Sequence, residues 1–387
     1  MLIIHAYLFP LYFKNVLLRG RPDGDAVWGI VFSTSAILAA VVAPFFGRVA
    51  DGHGRYRVFC IAAFSSFVTA ACLSFAVGKS FLVVVLVFLC ANICFYLTSN
   101  IYDSLLTLAA GGKERPLFSG FAWGFGYLGG VLCFLIVYAL VVRRGNTSPL
   151  PYLATALFYA IFGAWSLFVI KPYVKGAVRT QRIGVGEMLR ALDGPRRRLL
   201  LGYLLISDCI SAIILFTSIY ASNSLHLSDR AIGGWLLLTQ LLAFPNTFLV
   251  SSLTRRLGVI RTLAACVGIW IVVLILLIQT KLVVFGLIAL LTSLVIGTTQ
   301  SLTRAQYSVY VAPLRTSEMF GWYSIATESA SIAAPIVFGV ISGLFHSQRV
   351  AMGALALPLV VGLFLVWKST SLLERTQENR TVTTFAK

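Results

Sequence analysis

Apolar runs long enough to cross a bilayer recur along almost the whole chain, separated by short polar turns. A helical span needs roughly 20 apolar residues to cover about 30 Å of hydrocarbon. Such runs occupy 1–18, 26–46, 58–77, 81–108, 117–142, 151–171, 199–223, 230–252, 261–280, 282–303, 318–344 and 349–368. Charged residues make up only 11% of the chain and hydrophobic ones 59%, with a mean hydropathy of +0.90. Soluble domains carry about 25% charged residues, so that class is excluded. Because hydrocarbon offers no hydrogen bonds, runs of this length must satisfy their own backbone as helices. The expectation is an all-α, multi-pass membrane protein with about twelve spans, no separate soluble domain and no evident signal peptide.

Charge placement orients these spans. With the amino terminus inside, the turns on the inner side and the tail hold 22 of the 31 Lys and Arg residues. That bias matches the positive-inside rule, with both termini cytoplasmic. The net charge of +18 then reports topology and attraction to anionic lipid, and a nucleic-acid partner is not expected. Residues 172–198 form the longest polar stretch, entered at Lys171 and ending in Arg196, Arg197 and Arg198. They separate a first bundle, 1–171, from a second, 199–369, followed by a tail, 370–387. The stretch Ile183 to Asp193 either lies as an amphipathic helix on anionic lipid or is a solvated linker.

The two bundles read as copies. Ala26 to Gly54 aligns with Ala231 to Gly258 at an offset near 205, and Gly120 corresponds to Gly321 at an offset of 201. Six-helix parallel repeats of this kind place a central site between two bundles.

One turn is chemically distinctive: Gly47-Arg-Val-Ala-Asp51-Gly-His-Gly54-Arg55-Tyr-Arg57, between the second and third runs. It resembles the signature loop of major facilitator superfamily transporters, with Gly47, Asp51, Gly54 and Arg55 matching. Gly52 and Tyr56 stand where basic residues are usual. By that resemblance the Asp51 carboxylate sits near the cytoplasmic start of the eleventh helix, close to Ser317 and Glu318.

Further stretches narrow the resemblance. Phe9-Pro10-Leu-Tyr12-Phe13-Lys14, Tyr102-Asp103-Ser-Leu-Leu106, Ser119-Gly120 leading to Gly129-Gly130, Asp208, Gly297-Thr-Thr-Gln300-Ser-Leu-Thr-Arg304, and Phe320-Gly321-Trp-Tyr323 leading to Ala334-Pro335 resemble the vacuole effluxer-like family. That family includes the autophagy-related vacuolar amino-acid exporter of fungi and bacterial members. The resemblance implies two six-helix bundles and an amino acid as cargo. Two departures stand out: the acidic, asparagine-containing stretch usual early in the first helix is absent, and Cys209 replaces the glycine that usually follows Asp208. The repeat offset also places the start of the first helix about six residues before Met1, so upstream sequence completing a truncated first helix is expected.

Acids within spans point to mechanism, because a charge at mid-membrane costs about 2.5–3.5 kcal/mol on insertion scales. Asp208 and Glu328 fall near the midplane, and either could carry a proton, hold a substrate amine or tie helices together. Gln300 and Gln240 are the neutral polar candidates beside them. Asp103 and Arg304, 201 residues apart, fall at equivalent positions of the fourth and tenth runs. They form a candidate cytoplasmic gate, or Arg304 meets a substrate carboxylate, or the pair only serves a nearby loop. Gly120, Gly124, Gly126 and Gly130 are spaced for close helix approach, static or sliding.

The seven cysteines lie within spans without accompanying histidines, so no metal site, disulfide or cofactor is expected. No hydrolase triad or phosphate-cradling glycine loop is recognisable, which argues against an enzyme or an ATP-driven pump. The reading is a monomeric secondary transporter of a bacterial inner membrane, moving a small polar solute by alternating access with ion or proton coupling. Efflux of amphipathic compounds, or a transport-dead receptor or scaffold, are the alternatives.

Overall fold

Helices follow directly from the apolar runs, and a computed structural model describes them over residues 8–18, 24–145, 147–174, 194–225, 229–277, 282–311, 315–328, 337, 340–341, 344–345 and 348–385. In chain order these are α1 Phe9–Tyr12, continued by a wider turn Phe13–Leu17, α2 Gly24–His53, α3 Arg55–Ala76, α4 Phe81–Ser104, α5 Leu106–Ala109, α6 Arg115–Arg144 and α7 Leu150–Val174. Then come α8 Gly194–Leu225, α9 Asp229–Ser252, α10 Thr254–Leu257, α11 Val259–Leu277, α12 Leu282–Val309, α13 Thr316–Glu328, α14 Gln348–Ala354 and α15 Ala356–Phe385. Among the described residues nine helices are long and apolar enough to span a bilayer. Among the described residues every regular element is a helix, as the run pattern leads one to expect. The expectations about the first residues and most of the segment 172–198 fall on 1–7 and 175–193, outside the described residues.

Two boundaries differ from the sequence reading for a physical reason. The glycine-rich stretch around Asp51 suggests an open turn, yet α2 stays helical through His53 and breaks only at Gly54. Gly54 has φ +98°, a left-handed conformation that an L side chain resists. In the second half Gly258, the residue aligned with Gly54, has φ +81° and separates α10 from α11. The same break thus recurs at the same place in both repeats. The last helix also continues through Phe385, past the expected end at 368.

By contacts the chain forms two units, 1–109 with 128–180 and 311–325, and 110–127 with 181–310 and 326–387. In the first, Phe9, Tyr12, Phe13, Phe88 and Tyr152 are fully buried and form an aromatic core, with Phe9 stacked on Phe88 at 4.4 Å. The Gly78 amide donates to Tyr12 Oη at 2.8 Å, which pins α1 to the end of α3. In the second, Trp270 of α11 is fully buried and donates from Nε1 to Thr299 Oγ1 of α12 at 3.2 Å. Outward-facing aromatics such as Phe162, Trp165 and Phe168 of α7 are left for lipid to cover.

Candidate functional site

Each unit contains one crossing in which a helix from the other half of the sequence lies against it at glycine-width distance. In the first unit α13 crosses α2. A Cβ added at Gly321 would stand 2.6 Å from the Ala43 carbonyl carbon, and one added at Gly47 would stand 2.8 Å from the Glu318 amide nitrogen. Backbones approach this closely only where no side chain intervenes. In the second unit α6 crosses α9, where a Cβ at Gly120 would stand 2.6 Å from Ser251 Cβ and one at Gly124 2.8 Å from the Phe244 carbonyl oxygen. Gly120 and Gly321, paired by the repeat offset, therefore do the same work in the two crossings.

Gly126, grouped with these glycines by its spacing, meets no atom within 4 Å of an added Cβ. Its place on the helix turns it away from the α9 face, so it takes no part in that close approach. Gly130 is half-buried further along α6.

Asp51 sits in the last turn of α2, 6% exposed, and closes the first crossing. The Ser317 amide donates to its Oδ1 at 3.1 Å and the Glu318 amide to its Oδ2 at 2.9 Å. These are among the first amides of α13, which lack partners within their own helix. The carboxylate thus takes the place of a capping side chain at the positive end of the helix dipole. Arg55 Nε, in the first turn of α3, donates to Asp51 Oδ1 at 2.8 Å and is itself 6% exposed. Glu318 is held by Arg315, whose Nε donates to Oε2 at 3.1 Å. The Ser104 and Ser317 hydroxyls meet at 3.0 Å and add a bond between α4 and α13. Asn100 Nδ2 donates to the Ala43 carbonyl at 3.1 Å, one residue before the proline inside α2. The contact to Ser317 and Glu318 that the signature loop implied is present in this geometry. Arg57, also in that motif, lies on α3 two residues beyond Arg55.

In the second unit Arg304 is 4% exposed on α12. Its Nε donates to Ser119 Oγ at 2.9 Å and an Nη to the Ser119 carbonyl at 3.3 Å. Sequence spacing suggests Asp103 for Arg304 and does not single out Ser119 as more than part of a family resemblance. The available signal is weak, since one serine at the start of a glycine-spaced helix is common. Asp103 is half-buried on α4, next to Ser104.

The midplane candidates are distributed as follows. Asp208 is 5% exposed and lies near the centre of the 32-residue α8. Gln240 is half-buried midway along α9, and Gln300 half-buried on α12 one turn before Arg304. Glu328 ends α13, and its side chain lies outside the described residues. Among the described residues no three metal-ligating side chains cluster.

Comparison with known proteins gives this arrangement its context. Residues 24–335 match the family described as Major Facilitator Superfamily. An uncharacterized MFS-type transporter of Bacillus subtilis (strain 168), YxiO, is 24% identical over 94% of this chain and 90% of its own length. The human organic anion transporter MFSD10 superposes with a TM-score of 0.72 at 16% identity, over 92% of this chain and 88% of that one. The proton:xylose symporter XylE superposes with a TM-score of 0.74 at 13% identity, over 95% and 91%.

Proposed function

Since the chain belongs to the major facilitator superfamily, we propose that it is a secondary active transporter that moves a small polar solute by alternating access, coupled to protons. Transport across a membrane follows from the family; the solute and the coupling belong to this proposal. The observation that carries it is the Asp51 carboxylate on the first amides of α13, with Gly47 and Gly321 making room. A permanent junction would be made most cheaply by apolar packing. Here a buried charge joins helices from opposite halves of the sequence through bonds that water can replace once they part. The expectation that Asp103 and Arg304 serve a cytoplasmic gate belongs to the same proposal. Resemblance to the vacuole effluxer-like family supports an amino acid as the solute, and the central position of Asp208 supports its service as the proton or amine site. The bacterial relative and the apolar helices support a place in a bacterial inner membrane.

Uptake into proteoliposomes, screened with labelled amino acids and with amphipathic dyes, tests this reading. Saturable amino-acid uptake supports it. Dye flux alone would move the protein to the efflux alternative, and no flux of either would favour a receptor or scaffold.

A further inference from the structure

The start of α6 is gripped at two levels by arginines that point in opposite directions. Arg115, the first residue of α6, donates from Nη1 to the Ser308 carbonyl of α12 at 2.6 Å and from Nε to the Ala110 carbonyl at 3.2 Å. One turn further along, Arg304 of α12 donates back to the hydroxyl and carbonyl of Ser119. The Ser119 hydroxyl passes its own hydrogen to the Ser301 carbonyl at 2.8 Å, so one atom accepts from one turn of α12 and donates to the previous one. Ser301 Oγ in turn meets Ser251 Oγ of α9 at 3.3 Å, below Gly120. Ser119 is fully buried, so no water competes for these bonds.

We propose that Arg304 and Arg115 form a two-point clamp on Ser119 and the first turn of α6, and that release of this clamp limits opening of the transporter on its charged side. The inference rests on alternating access as proposed above. α6 comes from the first half of the sequence and α9 and α12 from the second, so this contact must break when the halves part. The clamp is the second unit's counterpart of the Asp51 junction with the chemistry reversed. Asp51 accepts from the amides of an incoming helix, whereas Arg304 and Arg115 donate to its backbone and to that of α12. A planar guanidinium reaches the Ser119 hydroxyl and carbonyl together, which a single ammonium cannot do in the same geometry. Arg304 therefore acts on Ser119 as a positioning residue, and binding of a solute carboxylate is not its role.

The test labels a cysteine introduced as Ser251→Cys, in a background without the native cysteines, with a membrane-impermeant maleimide applied from the charged side in reconstituted vesicles. Ser251 is fully buried beneath α6, so the labelling rate reports lifting of that helix. Ser119→Ala, Arg304→Lys and Arg115→Gln should each raise the rate about tenfold, because each removes a hydrogen bond made by a charged guanidinium. Arg115 is only half-buried, so its variant remains informative should the Arg304 variant fail to fold. Unchanged labelling in Ser119→Ala and Arg115→Gln overturns the clamp. So does a fall in solute affinity of Arg304→Lys with labelling unaltered, which would assign Arg304 to the solute. Labelling is read without solute, so a protein that opens faster in these variants yet transports nothing would sustain the clamp and sink the transport reading.

Discussion

Asp51→Asn is the change from which the geometry predicts most. The carboxylate accepts bonds from Arg55 Nε at 2.8 Å, Ser317 N at 3.1 Å and Glu318 N at 2.9 Å. An asparagine has one acceptor oxygen. It can keep the Oδ1 pair, but its amino group then faces the Glu318 amide, donor against donor. One hydrogen bond to a charged group, about 1.5–3 kcal/mol, is lost. The missing charge at the start of α13 removes about 0.3–1 kcal/mol more. Taking the low end, about 2 kcal/mol, the closed junction should weaken about thirtyfold relative to the open one. Ser104→Cys in a background without the native cysteines reads this directly, because Ser104 is fully buried against Ser317. Its labelling by an impermeant maleimide from the charged side should rise by that factor when Asp51→Asn is added. A rate that stays within twofold, in a protein that remains folded by thermal shift, would refute the idea that Asp51 holds this junction.

Other expectations follow from the same contacts. Ser104→Cys with Ser317→Cys, whose parent hydroxyls lie 3.0 Å apart, should form a disulfide on oxidation that stops transport and restore activity with reductant; cross-linking without loss of flux would show that α4 and α13 need not part. Gly120→Ala places a Cβ 2.6 Å from Ser251 Cβ and should lower both melting temperature and flux, while Gly126→Ala meets nothing and should gain up to about 1 kcal/mol from helix propensity; equal effects would remove the close-approach argument. Gly54→Ala forces a side chain at φ +98° and should cost about 1 kcal/mol of stability, measurable as a lower melting temperature.

Much of the fold is readable from run length alone, because hydrocarbon leaves an apolar backbone segment little choice but to be a helix. The repeat was legible in particular positions: Gly54 with Gly258, which share a left-handed φ, and Gly120 with Gly321, which each make room at a helix crossing. Asp51 was legible because a lone acid in a basic, glycine-bearing stretch has few other uses. What was not legible is that Arg304 bonds Ser119, because those hydrogen bonds depend on how α6 leans on α12, which no local pattern encodes. Glycines near Asp51 likewise suggest a loop, whereas only the one at 54 adopts a conformation that requires glycine. Gly126 shows the converse: correct spacing does not decide which side of the helix finds a neighbour.

Accumulation in proteoliposomes carrying an imposed pH gradient is the direct measure of proton-coupled transport. Labelled amino acid should rise above its outside concentration, collapse when a protonophore is added, and fail to accumulate in Asp208→Asn while exchange of solute for solute continues. Uptake that only equilibrates, indifferent to the gradient and to Asp208, would contradict it.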